Sequence, residues 1–151
     1  VLDFGIKDAN NMGAAMAPAA VDTITAHLNE TGRKPEYYDL VITGDLGNVG
    51  KAIILDMMQK EGFDISKVYN DCGSMIFDGE KQDTHAGGSG CGCAAVVLNG
   101  YIAKEMMKGN INKVLLIATG ALLSPTTTWQ GESIPCIAHA VAIEKTIEVG
   151  V

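Results

Sequence analysis

A chain of 151 residues, 47% of them hydrophobic and 19% charged, has the size and composition of one globular domain able to bury a core. Its net charge of −7 and isoelectric point near 4.8 exclude nucleic acid and an anionic membrane surface as direct electrostatic partners. No stretch reaches the ~18 consecutive apolar residues of a spanning helix, and Cys72, Cys91, Cys93 and Cys136 lie in a chain too long and too well cored to be a disulfide scaffold, which favours a reducing compartment.

In chain order, Val1 to Ile6 alternates as a short strand, and Lys7-Asp8-Ala9-Asn10-Asn11 supplies turn and N-cap chemistry ahead of a helix. Val1 lies inside an apolar stretch with no initiator Met, so the chain reads as a piece of a longer protein. Met12 to His27 is Ala-rich and helical, and Pro18 either opens a helix starting near Ala17 or kinks a longer one. His27 then stands as a favourable charge at the helix end, before Thr31-Gly32-Arg33-Lys34-Pro35 stops the element. Tyr37 to Gly44 reads as a buried strand, and Asp45-Leu46-Gly47-Asn48 as the loop leaving it. Asp45 either holds that loop through its own hydrogen bonds or reaches a ligand. Val49 to Lys60 carries a helical apolar stripe ending at Gly62. Asp64 to Asp71 is polar and reads as a loop, Ser74 to Phe77 as a short edge strand, and Asp78-Gly79-Glu80-Lys81 as a turn.

The run from His85 to Leu98 organises the rest. Gly87, Gly88, Gly90 and Gly92 crowd into six positions, and a helix-forming stretch follows from Ala94 to Met107, ending at Gly109. Glycines let several backbone N–H groups converge and a ligand approach closely, and the helix start adds unpaired N–H groups and a positive dipole end. The loop is therefore either an anion site or a place where small residues let elements pack tightly. Beyond Asn110 to Lys113, Val114 to Ala118 is the most strand-like run and stops at Thr119-Gly120. Ala121 to Pro135 is a loop in which Trp129 is a lid aromatic or a subunit contact. Cys136 to Glu144 alternates as a last strand, with His139 on a face shared by Ile137 and Val141 as a core or crevice histidine.

Helices alternating with apolar strands predict an α/β fold with a mixed, mostly parallel sheet and an antiparallel edge. Ligands in such sheets sit beyond the carboxyl ends of the strands. The candidate ligand-binding residues are thus Thr43, Gly44 and Asp45 at one strand end and His85, Gly87, Gly88 and Ser89 in the glycine loop, His85 being placed to meet a carboxylate. Met12, Met16, Met57 and Met58 read as core. Cys91 and Cys93, two residues apart on a helix start, point in different directions, and no second pair completes a metal site. A thiolate at Cys91, lowered by the helix N-terminus and served by His85 or His139, is the catalytic alternative; a structural cysteine is favoured.

The strings Asn11-Met-Gly-Ala-Ala-Met-Ala-Pro-Ala-Ala20, Thr43-Gly-Asp-Leu-Gly47, Asp71-Cys-Gly73, Ala86-Gly-Gly-Ser-Gly-Cys-Gly-Cys93, Ala118-Thr-Gly-Ala-Leu-Leu-Ser-Pro125 and Gln130-Gly-Glu-Ser-Ile-Pro-Cys-Ile-Ala-His-Ala-Val141 resemble the stage V sporulation protein AD family. The resemblance implies a thiolase-like fold, with residues 1–151 as a single domain forming the C-terminal half of a pseudo-symmetric α/β/α layered protein. It implies a non-enzymatic subunit that binds dipicolinic acid, free or as its calcium chelate, for loading into the developing bacterial spore. No cofactor is expected. A homodimer is, together with peripheral association with the inner spore membrane through other subunits of the dipicolinate channel. By the same resemblance, condensing enzymes of this fold place a His and an Asn where Gly44, within a residue, and Gly88 stand here, so no catalytic residue is expected. The alternatives are an acyl-transferring condensing enzyme of the thiolase or ketoacyl synthase type, and a pure assembly subunit.

Overall fold

A computed structural model of the chain describes residues 1–145. The first regular element is helix α1, Met12–Thr31, whose start is fixed by the Asn11 side chain accepting the Ala14 N–H at 3.1 Å and whose end is the left-handed Gly32. Of the two readings of Pro18, the longer helix holds: α1 passes through it, with Ala15, Ala17, Ala19, Ala20 and Ile24 buried on either side. Burial of this small-residue surface outweighs the one backbone hydrogen bond that proline removes. A 3₁₀ turn at Pro35–Tyr37 leads to strand β1, Leu40–Thr43, and α2 follows at Gly47–Lys60. Gly13 of α1 and Gly50 of α2 meet backbone to backbone, so a Cβ on Gly13 would collide with the Leu46 carbonyl.

Beyond α2 come β2, Tyr69–Asp71, and the single turn α3, Cys72–Met75. The helix after the glycine loop runs as α4, Cys93–Val97, a π turn at Leu98–Ile102 and α5, Ala103–Lys108. Strand β3 is Lys113–Ala121, α6 is Pro125–Trp129 and β4 is Cys136–Glu144. The sheet order is β2-β1-β3-β4, parallel from β2 to β3 and antiparallel between β3 and β4; the mixed, mostly parallel character with an antiparallel edge is the one expected from the alternation of elements. One core joins α1 and α2 to Val41, Leu115, Ile117 and Cys136. The other joins Cys93, Val97 and Ile102 to Ile42 and Val114 on the opposite face. That second layer stops short: Ile137, His139 and Val141 lie on an exposed part of the sheet, and Val96, Tyr101 and Met107 on an exposed side of the helix.

Several expectations are corrected here. Val1 to Ile6 is not a strand, because Asp3 accepts the Gly5 N–H, Gly5 turns left-handed, and only Leu2 bridges to Cys136. Tyr69–Asp71 is a strand rather than a loop, since pairing in register with Val41–Thr43 overrides its polar composition. Ser74 to Phe77 is no edge strand: the Asp71 side chain caps the Ser74 N–H and winds the chain into α3. The loop before β4 contains α6, started by a Ser124–Thr127 capping box. His139 is exposed rather than a core residue. His27 does not end α1, which runs on to Thr31; its Nε2 lies 2.6 Å from the Tyr38 hydroxyl, and burial, then the Arg33 charge, hold its pKa below the usual histidine value.

Candidate functional site

The carboxyl ends of β1 and β2 fall side by side, with Thr43 in register with Asp71. Asp71 is fully buried, and its carboxylate accepts from four donors. The Thr43 hydroxyl bonds its Oδ2 at 2.7 Å, the Leu46 N–H the same oxygen at 3.1 Å, and the Gly47 and Ser74 N–H groups its Oδ1 at 2.8 and 3.2 Å. Thr43 also lies 2.8 Å from the Tyr69 hydroxyl. Burial raises the Asp71 pKa and these donors pull it back; burial likewise raises that of Tyr69. One carboxylate thereby fixes both the loop from Gly44 to Gly47 and the start of α3.

The glycine loop docks on this frame. Gly88 donates to the Gly73 carbonyl at 2.7 Å, Gly87 to Thr84 at 2.9 Å, and the Ala86 carbonyl accepts the Asn48 N–H at 2.7 Å. The loop's closing contact is to Asp45, whose Oδ2 accepts the Ser89 hydroxyl at 2.9 Å and the Gly90 N–H at 2.7 Å. On either side of this Asp45–Ser89 crossbar lies an open cavity. The first, about 460 Å³, is bounded by Asp8, Asn11 and Met12 before and within α1, by Gly47, and by Ala86 to Ser89. The second, about 470 Å³, is bounded by Met16, Gly44, Cys91, Ala94 and Thr119. Met12, Asp45 and Ser89 border both, and among the described residues no Lys, Arg or His stands in either wall.

The structure brings Gly44, Asp45, Gly87, Gly88 and Ser89 to this crevice but not Thr43 or His85. Thr43 is buried beneath it and spent on Asp71. His85 takes a left-handed backbone, φ 48°, and points to solvent beside Asp83, 3.2 Å away. At Gly87 and Gly88 the packing reading of the glycines holds: a Cβ on Gly87 would strike the Gly73 carbonyl, and one on Gly88 the Ile76 side chain and, at 3.0 Å, Phe77. A Cβ on Gly44 would sit 2.7 Å from Thr119 Oγ1, a buried oxygen with no hydrogen-bond partner among the described residues. Cys91 and Cys93 diverge as their spacing predicts, the first exposed and the second buried. Burial pushes the Cys72 thiol up to about 12 and also raises those of Cys93 and Cys136. No group of three or more metal-ligating side chains forms among the described residues. Sequence reasoning passed over Asp71 as a site-building residue, and Asp8 and Asn11 as crevice walls. The available signal was an acidic residue directly before Cys-Gly, two residues after Val68-Tyr69.

Fold and crevice together define an α/β protein with a small-molecule-sized cleft beyond the carboxyl ends of its parallel strands. The family model for stage V sporulation protein AD matches residues 1–144. Stage V sporulation protein AD of Bacillus subtilis (strain 168) is 47% identical over 145 residues, which is 96% of this chain and 43% of that protein. The chain belongs to the stage V sporulation protein AD family. It spans less than half the length of that curated relative. No helix among the described residues is long and apolar enough to cross a membrane.

Proposed function

We propose that the chain is the C-terminal half of a thiolase-like, non-enzymatic subunit that binds dipicolinic acid during spore formation. The observation that carries this reading is the packing at Gly44 and Gly88. A Cβ at Gly44 would press on Thr119 Oγ1 and one at Gly88 on the Ile76 and Phe77 side chains, so packing disfavours a side chain at the two positions where the resemblance would put a His and an Asn. The cleft, walled by the glycine loop together with Met12, Met16, Asn11 and Asp45, is large enough for a planar dicarboxylate. The bare apolar surface at Val96, Tyr101, Ile137 and Val141 suits coverage by the other half of such a fold. In the complete protein, homodimerisation and attachment to the spore membrane through channel subunits belong to the same proposal.

Calorimetric titration of dipicolinic acid into the complete protein, with benzoate and an acyl-CoA as controls, tests it. Saturable binding of dipicolinate alone is the expected result. A second reading, acyl transfer, draws on one observation, the exposed Cys91 in the wall of the second cavity. Heat with the acyl-CoA and acylation lost in Cys91→Ala would establish that reading and overturn the first. Partner capture with no small-molecule affinity would instead leave a pure assembly subunit.

A further inference from the structure

His27, Arg33 and Tyr38 form a cluster away from the crevice, at the amino ends of β1 and β3 and so at the other end of the sheet. Tyr38 is 1% exposed, and its hydroxyl has two partners among the described residues: the Arg33 guanidinium, which donates to it at 2.8 Å, and His27 Nε2 at 2.6 Å. Arg33 also pairs with Glu144, the last residue of β4, at 3.0 Å, and Glu144 accepts the Tyr37 hydroxyl at 3.0 Å. Lys113, the first residue of β3, stands over the Tyr37 ring at 3.9 Å. The last turns of α1, the connection into β1 and the end of β4 thus meet around one phenolic oxygen.

The chemistry of that oxygen fixes the state of its neighbours. A guanidinium has only donors, so it uses the hydroxyl as an acceptor and leaves the single phenolic proton to go to His27. Nε2 receives that proton only when the imidazole is neutral and carries its own proton on Nδ1. A second proton on His27 would set two cations that only donate against one hydroxyl, whose own proton, shut off from water, would lose its acceptor. Of the charges around the ring, Arg33 opposes a second positive charge and Glu30, on α1 itself, favours it; burial, the largest influence, also opposes it.

We propose that His27 is the proton-sensitive member of a latch: neutral, it holds the end of α1 to Tyr38 and through Arg33 to the end of β4, and on gaining a proton it releases them. The proposal stands apart from the dipicolinate reading. Burial and Arg33 lower the folded-state pKa of His27, so the closed latch binds the proton less tightly than the open one does. The latch is therefore secure above the ordinary histidine value of about 6.5 and weakens as pH falls toward the folded value.

The test is amide hydrogen exchange of the complete protein over residues 24–38 at about pH 7.5 and about pH 5.5, corrected for the intrinsic pH dependence of exchange. Exchange there is expected to quicken at the lower pH, by up to about tenfold, the limit set by one pH unit below the ordinary histidine value. His27→Gln supplies an amide oxygen that accepts from Tyr38 but does not titrate, and is expected to abolish the acceleration. Unchanged exchange in wild type overturns the proposal, as does an equal acceleration in a folded His27→Gln. Nitrogen-15 NMR of the imidazole at neutral pH needs no variant: the Nδ1–H tautomer is expected, and an Nε2–H tautomer or a charged ring refutes the latch.

Discussion

Thr43 and Asp71, the last residues of β1 and β2, are register partners joined by a 2.7 Å hydrogen bond with no exposed surface on either. Because Asp71 also receives three backbone N–H groups, Asp71→Asn turns an amide NH₂ toward donors and is expected to cost about 2 kcal/mol in urea denaturation. The pH dependence has a definite sign. Burial raises the folded-state pKa above the unfolded carboxyl value of about 3.9, so the fold binds this proton more tightly than the unfolded chain does. The stability Asp71 contributes is full below that unfolded value and falls as pH rises through the folded one. The advantage of wild type over Asp71→Asn therefore shrinks across that window, and an advantage that grows with pH would refute the assignment.

The glycines of the loop divide by what surrounds them. Gly87, φ 112°, has the Gly73 carbonyl where a Cβ would go, whereas Gly90, φ 121°, has nothing within 4 Å. Gly90→Ala is expected to cost only the backbone strain of about 1 kcal/mol, and Gly87→Ala about 2 kcal/mol more because main chain must move. Paired urea midpoints check this; equal losses would show that the docking of the loop on α3 is softer than described.

His85 bears a side chain in a backbone region that glycine prefers, and its exposed imidazole lies 3.2 Å from the exposed Asp83. His85→Gly is expected to raise stability by about 1 kcal/mol and, under the binding role proposed above, to leave dipicolinate affinity unchanged. A tenfold loss of affinity on titration would return His85 to the site.

Of four thiols, only that of Cys91 is exposed. A thiol-reactive aromatic disulfide should modify one cysteine rapidly in the native protein and the others only on unfolding, with the fast phase absent in Cys91→Ser. Protection of that fast thiol by bound ligand would place the ligand in the second cavity.

Long, strongly patterned elements were legible in the sequence: the Ala-rich α1, the apolar run of β3 and the alternating β4 appear where periodicity places them. The meeting of the Asp45 loop with the glycine loop was legible only on the condition that the following helix docks with its start toward the strand ends; the Asp45 bonds to Ser89 and Gly90 are tertiary contacts that local text does not fix. Short elements were not. Tyr69–Asp71 is a strand only through its pairing with β1, and Ser74 is helical only because Asp71 caps it, both long-range or side-chain effects invisible to a pattern of polarity. The site assignments for Thr43 and His85 show the same limit. Spacing puts a residue near a strand end or a loop, but burial and a left-handed backbone decide whether its side chain reaches the cleft.

The contact of Gly13 with Gly50 has a mechanical consequence. Two helix starts pressed backbone to backbone cannot slide past one another or part without losing the fit that requires both glycines, so α1 and α2 move as one body. These helix starts supply Met12 and Gly47 to one wall of the first cavity, which makes that wall an anvil. Any widening needed to admit a ligand must come from the opposite side, where the stretch from Ser89 to Gly92 is exposed and fastened to the wall by a single carboxylate.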